Sequence, residues 1–367
     1  YNLLRLHGWT GDGIMSRVAD KLIKAQTASA GIDDGSPFDT AIAVGRYYLR
    51  VITHDVSDPT SLSTLDSAGT GNGPIAISYN GAGIDRTNKV VISGDSTFDR
   101  IHATDFSNPA AVVSTQIYSD ATVLDTPRGG CGIDEARQVA WFISVTPNTL
   151  VGIDYSDIAT NGGSVAGSIA LSYQCYGLGY DAANQIVYLT TGSRMLSYDV
   201  SNLSSISQLD NLSNSNISGC RELAIDPVTE VMYGAVQNGG IVALDISNPS
   251  NMSVLSRNTS GASNFCCKVD PNIEYAFGLS GTGNIYSYDV SDPSSMTLDD
   301  TFTDSLIPTA SSYYRSLAID TNQKLLYYKG FSGTDSLVII SYADPTNLVK
   351  VNSITSSQAM NVFLFNR

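Results

Sequence analysis

The sequence predicts an all-β fold built from repeated units of four short strands. Three observations support this fold class: the composition, a turn motif that recurs along most of the chain, and a second motif at a fixed distance before it. Of the 367 residues only 15% are charged, whereas Gly (32) and Tyr (20) are abundant and 42% are hydrophobic. Such a mixture suits short strands joined by polar turns and supports a large buried core.

The first motif is a strand that ends in Asp, followed by an apolar residue, Ser, and Asp or Asn, often with Pro. It occurs seven times, and successive copies are 50, 49, 45, 46, 44 and 52 residues apart. Self-similarity at this period is typical of propellers and solenoids. The copies are THDVSDP at Asp55, ATDFSNP at Asp105, GIDYSDI at Asp154, SYDVSNL at Asp199, ALDISNP at Asp245, SYDVSDP at Asp289 and IISYADP at Ser341.

The second motif is a small, apolar strand that also ends in Asp, and it precedes most copies of the first. Its Asp residues are Asp85, Asp134, Asp181, Asp226, Asp270 and Asp320. Seven residues later stands a mostly aromatic position, occupied by Ile92, Trp141, Tyr188, Tyr233, Phe277 and Tyr327. Each unit therefore contains four strands, which is the size of one propeller blade. Seven units predict a seven-bladed β-propeller over residues 36–367.

The units GGIVALDISNPSNMSVL and GNIYSYDVSDPSSMTL resemble the LVIVD repeat of bacterial and archaeal surface-type β-propellers. The resemblance extends over roughly residues 36–367 and implies the propeller fold. The sequence departs from the repeat pattern in two places. SDIATNGG replaces the Asp-Pro turn in the third unit, and Ser341 replaces Asp in the last, so we expect remodelled turns there.

The first unit, from Thr40 to Leu65, lacks a recognisable first strand. The C-terminal segment MNVFLFN, which starts at Met360, has the pattern to supply it. Pairing one terminus with the other would close the ring and cover free strand edges. The sequence thus predicts closure of the propeller by its C-terminal strand.

Residues 1–35 carry no blade motif and form a separate N-terminal extension. Within them the segment IMSRVADKLIKAQTA has the period of an amphipathic helix, with Ile14, Val18 and Leu22 on its apolar face. One interpretation is that this face packs on the propeller. The other is that it anchors the propeller to a larger assembly.

Charge and hydropathy exclude some functions. A net charge of −15 argues against nucleic-acid binding, which requires neutralised phosphates. No apolar segment approaches the length of a membrane helix, and no signal peptide is visible. Five cysteines are too few for a disulfide framework in a chain of this length. Much of the negative charge comes from Asp at repeated turn positions.

The repeated Asp residues have two interpretations. They could surround a metal ion, but Asp at a strand end commonly accepts hydrogen bonds from the amides of the following turn. No calcium-binding loop of the alternating-Asp type is present. We therefore assign both Asp series to turn structure, and we predict neither a metal site nor a cofactor.

Two cysteines occupy equivalent positions in neighbouring units. Cys175 and Cys220 each stand six residues before the Asp that ends the strand, which would place both near the channel mouth. They are free thiols or a disulfide, and we favour free thiols because a disulfide needs Cα atoms within roughly 7 Å. Cys131 and Cys267, three residues before the same Asp, are interpreted as small buried hydrophobic residues.

Three arginines stand at nearly the same position: Arg128, Arg221 and Arg315 fall five or six residues before the strand-ending Asp. Guanidinium groups that converge on one channel mouth could bind an anionic group. Pairing with local carboxylates is the alternative. The candidate ligand-binding set, which lines a polar and aromatic funnel, is Arg128, Arg221, Arg315, Glu222, Tyr176 and Tyr314, with Tyr79 and Tyr313 close by.

Catalytic motifs are missing from the sequence: there is no nucleophile elbow, no zinc-protease motif and no phosphate-binding loop. The three histidines, His7, His54 and His102, occupy non-equivalent positions. The leading hypothesis is a non-enzymatic interaction, adhesion or structural propeller, displayed outside the cell or on a virus particle. It would bind a protein or glycan through its loop face or its channel mouth. The alternative is a hydrolase or lyase acting on an anionic sugar or lactone in the channel.

Overall fold

The computed structural model describes residues 40–44, 50–69, 81–95, 99–120, 122–125, 127–158, 162–237, 239–262, 264–307, 315–330, 336–355 and 361–365. The proposed helix with Ile14, Val18 and Leu22 lies outside these residues, as does the rest of the N-terminal extension. None of the helices in these segments is both long and apolar enough to cross a membrane.

The described strands form seven sheets, each of four antiparallel strands, which we number as blades 1 to 7. The first four blades comprise β28 (Asn361–Phe365), β1 (Thr40–Val44), β2 (Arg50–Asp55) and β3 (Ser63–Gly69); β4 (Ala82–Asp85), β5 (Val90–Asp95), β6 (Arg100–Asp105) and β7 (Val113–Ser119); β8 (Arg128–Asp134), β9 (Val139–Ser144), β10 (Thr149–Asp154) and β11 (Ser164–Ala170); and β12 (Gly177–Asp181), β13 (Ile186–Thr190), β14 (Arg194–Asp199) and β15 (Ser207–Ser213).

The remaining three blades follow the same plan, and a short 3-10 helix (Ser215–Ile217) precedes them. They comprise β16 (Cys220–Asp226), β17 (Val231–Val236), β18 (Ile241–Asp245) and β19 (Ser253–Asn258); β20 (Asn264–Asp270), β21 (Tyr275–Ser280), β22 (Asn284–Asp289) and β23 (Thr297–Thr303); and β24 (Arg315–Asp320), β25 (Leu325–Gly330), β26 (Ser336–Ser341) and β27 (Val349–Thr355).

The first strand of each blade is its innermost one. The innermost strands of consecutive blades contact one another in the order β4, β8, β12, β16, β20, β24 and β28, so the blades follow one another around a central channel. The prediction of an all-β propeller with four-stranded blades is confirmed. Neighbouring strands are antiparallel, so the first and third strands of a blade run in the same direction. We call the end of the channel where these strands begin the mouth face. The turns that carry both Asp motifs lie at the other end, the turn face.

The two ends of the propeller segment meet in one blade. Strand β28 pairs antiparallel with β1, with Thr40 opposite Phe365 and Val44 opposite Asn361. Arg86 of blade 2 donates from Nε to the carbonyl of Leu364 at 3.0 Å and so ties the closing strand to the next blade. The predicted closure by the C-terminal strand is confirmed.

The hydrophobic core lies between blades. Each buried cluster combines two neighbours; one, for example, joins Trp141 and Ile143 of blade 3 to Leu178 and Val187 of blade 4. The residues seven positions after the strand-ending Asp form this core, and all are almost completely buried: Ile92, Trp141, Tyr188, Tyr233, Phe277 and Tyr327. Burial of large side chains on both sides of a sheet stabilises a ring in which no blade is independent.

In blades 2 to 7 the turn after the innermost strand is held by the buried Asp that ends the strand. Asp181 accepts from the amide of Ala183 at 3.0 Å, and Asp226 from that of Val228 at 2.9 Å. Four residues after each Asp the backbone adopts a positive φ between 53° and 59°, at Lys89, Gln138, Gln185, Glu230, Glu274 and Lys324. The predicted turn role of this Asp series is confirmed.

The second Asp series holds the turn after the third strand of each blade in the same way. Asp199 accepts from the amide of Ser201 at 2.8 Å, and Asp289 from that of Ser291 at 2.9 Å. In blade 7 the hydroxyl of Ser341 replaces the carboxylate and accepts from Ala343 at 3.2 Å. In blade 3, Asp154 still accepts from Ser156, while Gly163 donates to the carbonyl of Ile117 in blade 2. The two departures from the repeat are thus local turn changes.

Candidate functional site

The mouth face is where the innermost strands of different blades carry residues at equivalent positions. Five residues before the strand-ending Asp, blades 4, 5, 6 and 7 carry Tyr176, Arg221, Phe265 and Arg315. The side chains of Arg315 and Arg128 and the whole of Tyr79, Tyr313 and Tyr314 lie outside the description. The structure therefore brings together Tyr176, Arg221 and Glu222 from the predicted set and leaves the other members untested.

A β-bulge places Arg221 and Glu222 side by side. In blade 5, Cys220 pairs with Val236 but Leu223 pairs with Gly234, so two residues of β16 lie opposite one residue of β17. Bulges bend a strand and redirect its side chains, and they occur frequently beside functional sites. Blades 3 and 6 have irregular pairing at the same end of β8 and β20. The irregular strand ends thus concentrate at the mouth face.

Arg221 is held between two blades. Its guanidinium carbon lies 4.4 Å from the ring centroid of Tyr176, and its Nε donates to Oε1 of Gln237 at 3.0 Å. The backbone of blade 4 approaches very closely here. A Cβ on Gly177 would lie 1.9 Å from the carbonyl oxygen of Arg221, so only glycine fits at that position.

Glu222 forms an ion pair with Lys268 across the boundary between blades 5 and 6. Nζ of Lys268 lies 2.5 Å from Oε1 of Glu222, and both side chains are partly exposed. Burial opposes the charged form of the lysine, but attraction by the carboxylate outweighs it and raises the pKa of Lys268. The lysine therefore stays charged at neutral pH, and the ion pair crosslinks two innermost strands.

Cys175 and Cys220 are buried in different hydrophobic clusters, one shared by blades 3 and 4 and the other by blades 4 and 5. All five cysteines are free thiols in the structure. Burial raises the pKa of both Cys175 and Cys220 to about 12, so the reactive thiolate is suppressed. These two cysteines contribute packing to the mouth face.

The connection between β11 and β12, residues 171–176, is here named the tyrosine loop. It carries a second arginine–tyrosine contact that the sequence analysis missed: the guanidinium carbon of Arg194 lies 4.8 Å from the ring centroid of Tyr173. Arg194 begins β14 and also donates to Oδ1 of Asn211 at 2.9 Å. The signal in the sequence is weak, since Arg194 shares its position, five residues before the third-strand Asp, with Arg50 and Arg100.

Hydrogen bonds at both ends pin the tyrosine loop. Asn148 of blade 3 donates from Nδ2 to the carbonyls of Leu171 and Tyr173, both at 2.8 Å. Its backbone carbonyl accepts a hydrogen bond from the amide of Leu171. The amide of Tyr176 donates to the carbonyl of Thr190 at 2.8 Å. Together with the buried Cys175, these contacts fix the backbone while Tyr173, Gln174 and Tyr176 reach the surface.

We define the recognition surface as Tyr173, Gln174, Tyr176, Arg194 and Arg221. It offers two rings, two guanidinium groups and an amide on one pinned loop and its neighbours. Groups of this kind stack on planar or ring-shaped ligands and donate hydrogen bonds with little loss of side-chain entropy. The arrangement is suited to binding rather than to proton transfer.

The two described histidines lie within blades and are not at the mouth face. Burial, followed by repulsion from Lys329, lowers the pKa of His54 to about 4. Burial, followed by repulsion from Arg100, does the same for His102. Within the described ranges, no three His, Cys, Asp or Glu side chains lie close enough together to hold a metal ion. A separate polar groove runs along the edge strand β7, lined by Ser114–Ser119 and Gly163.

Comparison with known proteins supports the repeat and the fold. A family model described as the LVIVD repeat matches residues 232–259 and 288–304, in blades 5 and 6. Among curated proteins, none matches the sequence. The LVIVD resemblance inferred from the sequence motifs is therefore confirmed for residues 232–259 and 288–304.

Solved structures with the same architecture cover nearly the whole chain at low identity. A Bacteroides uniformis protein provisionally named a 6-phosphogluconolactonase has a TM-score of 0.71 at 11% identity, over 90% of this chain and 100% of that one. A hypothetical selenium-binding protein from Sulfolobus tokodaii has 0.70 at 11%, over 90% and 94%. A periplasmic gluconolactonase from Pseudomonas aeruginosa has 0.68 at 10%, over 90% and 99%. At these identities the similarity establishes the fold alone.

Proposed function

We propose that this LVIVD-repeat propeller is a non-enzymatic recognition module that binds a glycan through the recognition surface. The observation that carries the proposal is the pinned tyrosine loop. Asn148 and Thr190 hold its backbone at both ends, so its tyrosines need little further ordering when a ligand binds. A preorganised surface retains more of the contact energy as affinity.

The chemistry of the surface favours a glycan over a protein partner. Sugars stack on aromatic rings and pair their hydroxyls with amide and guanidinium groups, which are the groups present here. Protein interfaces usually have an apolar centre. The exposed large apolar side chains of the described residues, Val113, Val165, Val228 and Val349, lie in four different blades and form no such centre.

Display of the propeller outside a cell or on a virus particle belongs to the same proposal. It draws on the neutral polar composition, in which Ser, Asn and Gly take the place of charged residues. Attachment to a larger assembly through residues 1–35 is likewise proposed on the amphipathic pattern of that segment alone.

A glycan array tests the proposal. We expect the full chain to bind a defined group of glycans, and the variant with Tyr173→Ala and Tyr176→Ala to lose at least 10-fold in signal. The control is Tyr275→Ala, since Tyr275 lies at the turn face and bonds to Asp299 within its own blade. Absence of binding by the unmodified chain, or full binding by the double variant, would overturn the proposal.

A second candidate is hydrolysis of a lactone in the channel. It is favoured by the names of two structural neighbours, one provisionally named a 6-phosphogluconolactonase and the other a gluconolactonase. It is also favoured by the carboxylate of Glu222, which lies beside Lys268 between two innermost strands. The test is hydrolysis of glucono-δ-lactone by the unmodified chain and by Glu222→Gln. Acceleration that disappears in the variant supports this candidate, whereas equal rates with and without protein exclude it for this substrate.

A further inference from the structure

We propose that the ligand of the recognition surface is a carboxylated glycan and that Arg194 binds its carboxylate. This inference rests on the proposed glycan recognition and names the chemical class of the ligand. It depends on the surroundings of Arg194, on the charge of the whole chain and on the position of the second arginine.

Arg194 retains most of its hydrogen-bonding capacity. A guanidinium group has five N–H donors in a planar fork. Within the described part of the chain, the side chain of Arg194 makes one hydrogen bond, from Nη1 to Asn211, while Tyr173 covers one face of the group. The ring and the amide fix the plane of the fork, and the remaining donors are available to a ligand at a partly exposed position.

The partners of Arg194 are neutral, unlike those of four other cations among the described residues. Arg137, Lys268, Lys324 and Lys350 all form ion pairs with carboxylates. The carboxylate nearest in sequence to Asn211 is Asp210, and it accepts from the amides of Met252 and Asn211 at 2.7 and 2.6 Å. The side chain of Arg194 is thus positively charged, and its two partners, Tyr173 and Asn211, are both neutral.

The geometry of the fork and the net charge together select the anion. A planar guanidinium matches carboxylate and phosphate in a bidentate manner. A chain with a net charge of −15 repels dense polyanions more strongly than sparse ones, so single carboxylates on a sugar chain are tolerated better than phosphate or sulfate clusters. Stacking of the sugar on the exposed parts of the tyrosines would supply the contacts that do not depend on charge.

The second arginine lies within reach of the same ligand. Tyr173 and Tyr176 are three residues apart, so their Cα atoms are separated by at most about 11 Å. Each ring carries its own guanidinium, from Arg194 and Arg221 respectively. One short oligosaccharide can therefore contact both.

Titration calorimetry with paired probes tests this inference. The probes are tetragalacturonate, a hyaluronan tetrasaccharide and sialyllactose, each as the free acid and as its methyl ester, together with a phosphorylated oligosaccharide. We expect at least one acid to bind at least 10-fold more tightly than its ester. Arg194→Gln should remove that preference. The control Arg100→Gln should retain it, because Arg100 begins β6 at the equivalent position of blade 2, two blades away from the recognition surface.

The outcomes separate the two proposals. If acids and esters bind equally, or if the array yields only neutral glycans, the carboxylate inference is overturned and glycan recognition stands. The inference is also overturned if the phosphorylated probe binds more tightly than the acids, or if none of the three acids binds. If the array shows no glycan at all, both proposals fail together.

Discussion

The hydroxyl of Tyr155 donates to Oδ2 of Asp85 at 2.7 Å across the boundary between blades 3 and 2, and Asp85 is completely buried. Tyr342 makes the same contact with Asp270 at 2.9 Å between blades 7 and 6, and Tyr180 with Asp134 at 2.6 Å between blades 4 and 3. The Asp that ends each of these innermost strands therefore serves two purposes: it holds its own turn and it accepts a hydrogen bond from the next blade.

Removing one of these hydroxyls should destabilise the whole ring. Tyr155→Phe leaves a buried carboxylate with one fewer donor, and we expect a loss of about 1.5–3 kcal/mol in the free energy of unfolding, as for hydrogen bonds to charged groups. Urea denaturation followed by fluorescence measures it. Tyr275→Phe is the control, because its hydroxyl bonds an exposed carboxylate within one blade, and we expect a loss below about 1 kcal/mol. Equal losses in the two variants would refute an inter-blade role.

Acid should destabilise the propeller through its buried histidines. The pKa values of His54 and His102 are about 4 in the folded chain, because burial disfavours the imidazolium, against 6.5 when unfolded. Between these two pKa values the unfolded state therefore binds more protons than the folded state. The contribution of the two histidines to the free energy of unfolding is fully present above pH 6.5 and is lost as the pH falls toward 4. At about 1.4 kcal/mol for each pH unit between the two values, the loss approaches ~3 kcal/mol per histidine.

Calorimetric melting temperatures at pH 7.5 and pH 4.5 provide the measurement. His102→Gln should narrow the difference between the two temperatures, because it removes one of the two groups. A difference of the same size in this variant would assign the acid sensitivity to other groups, such as the buried carboxylates.

The closing strand should be essential for folding. Deleting residues 360–367 removes β28, exposes the edge of β1 and leaves the side chain of Arg86 without the Leu364 carbonyl. We expect aggregation or loss of the cooperative transition on heating. Deleting only residues 366–367 retains β28 and should leave the melting temperature within a few degrees. An unchanged melting temperature after the longer deletion would contradict the closure.

Asn148 should control the order of the tyrosine loop. Asn148→Ala removes two hydrogen bonds to the loop carbonyls, so amide exchange at residues 171–176 should accelerate at least 10-fold while exchange in β13 and β14 stays unchanged. Hydrogen–deuterium exchange with mass spectrometry resolves the two regions. Unaltered exchange in the loop would mean that Cys175 and the Thr190 contact hold it alone.

The fold was predictable because its signal repeats. Asp55 to Ser341 mark the third strands, Asp85 to Asp320 the first, and turn chemistry forces the same local structure at each copy. The hydrogen bonds between blades were harder to predict from the sequence, because Tyr155 and Tyr342 occupy a position where the other repeats carry Val, Ile or Phe. Their partners are defined only once neighbouring blades are packed together.

The candidate site was predictable in part for the same reason. Arg221, Glu222 and Tyr176 were found by counting back from the strand-ending Asp, because equivalent positions of a repeat share one face. The bulge at Arg221 and the contact of Arg194 with Tyr173 depend on a particular pairing register and a particular loop path. Blades 3 and 6 share the irregular strand end, but no sequence motif marks it.

The position of a bound glycan is the most direct test of whether the recognition surface is the binding site. A crystal structure of the full chain with a glycan selected on the array should place the sugar over Tyr173 and Tyr176, within hydrogen-bond distance of Arg194. A sugar bound instead in the groove along β7, or beside the Glu222–Lys268 ion pair, would contradict the assignment of the recognition surface.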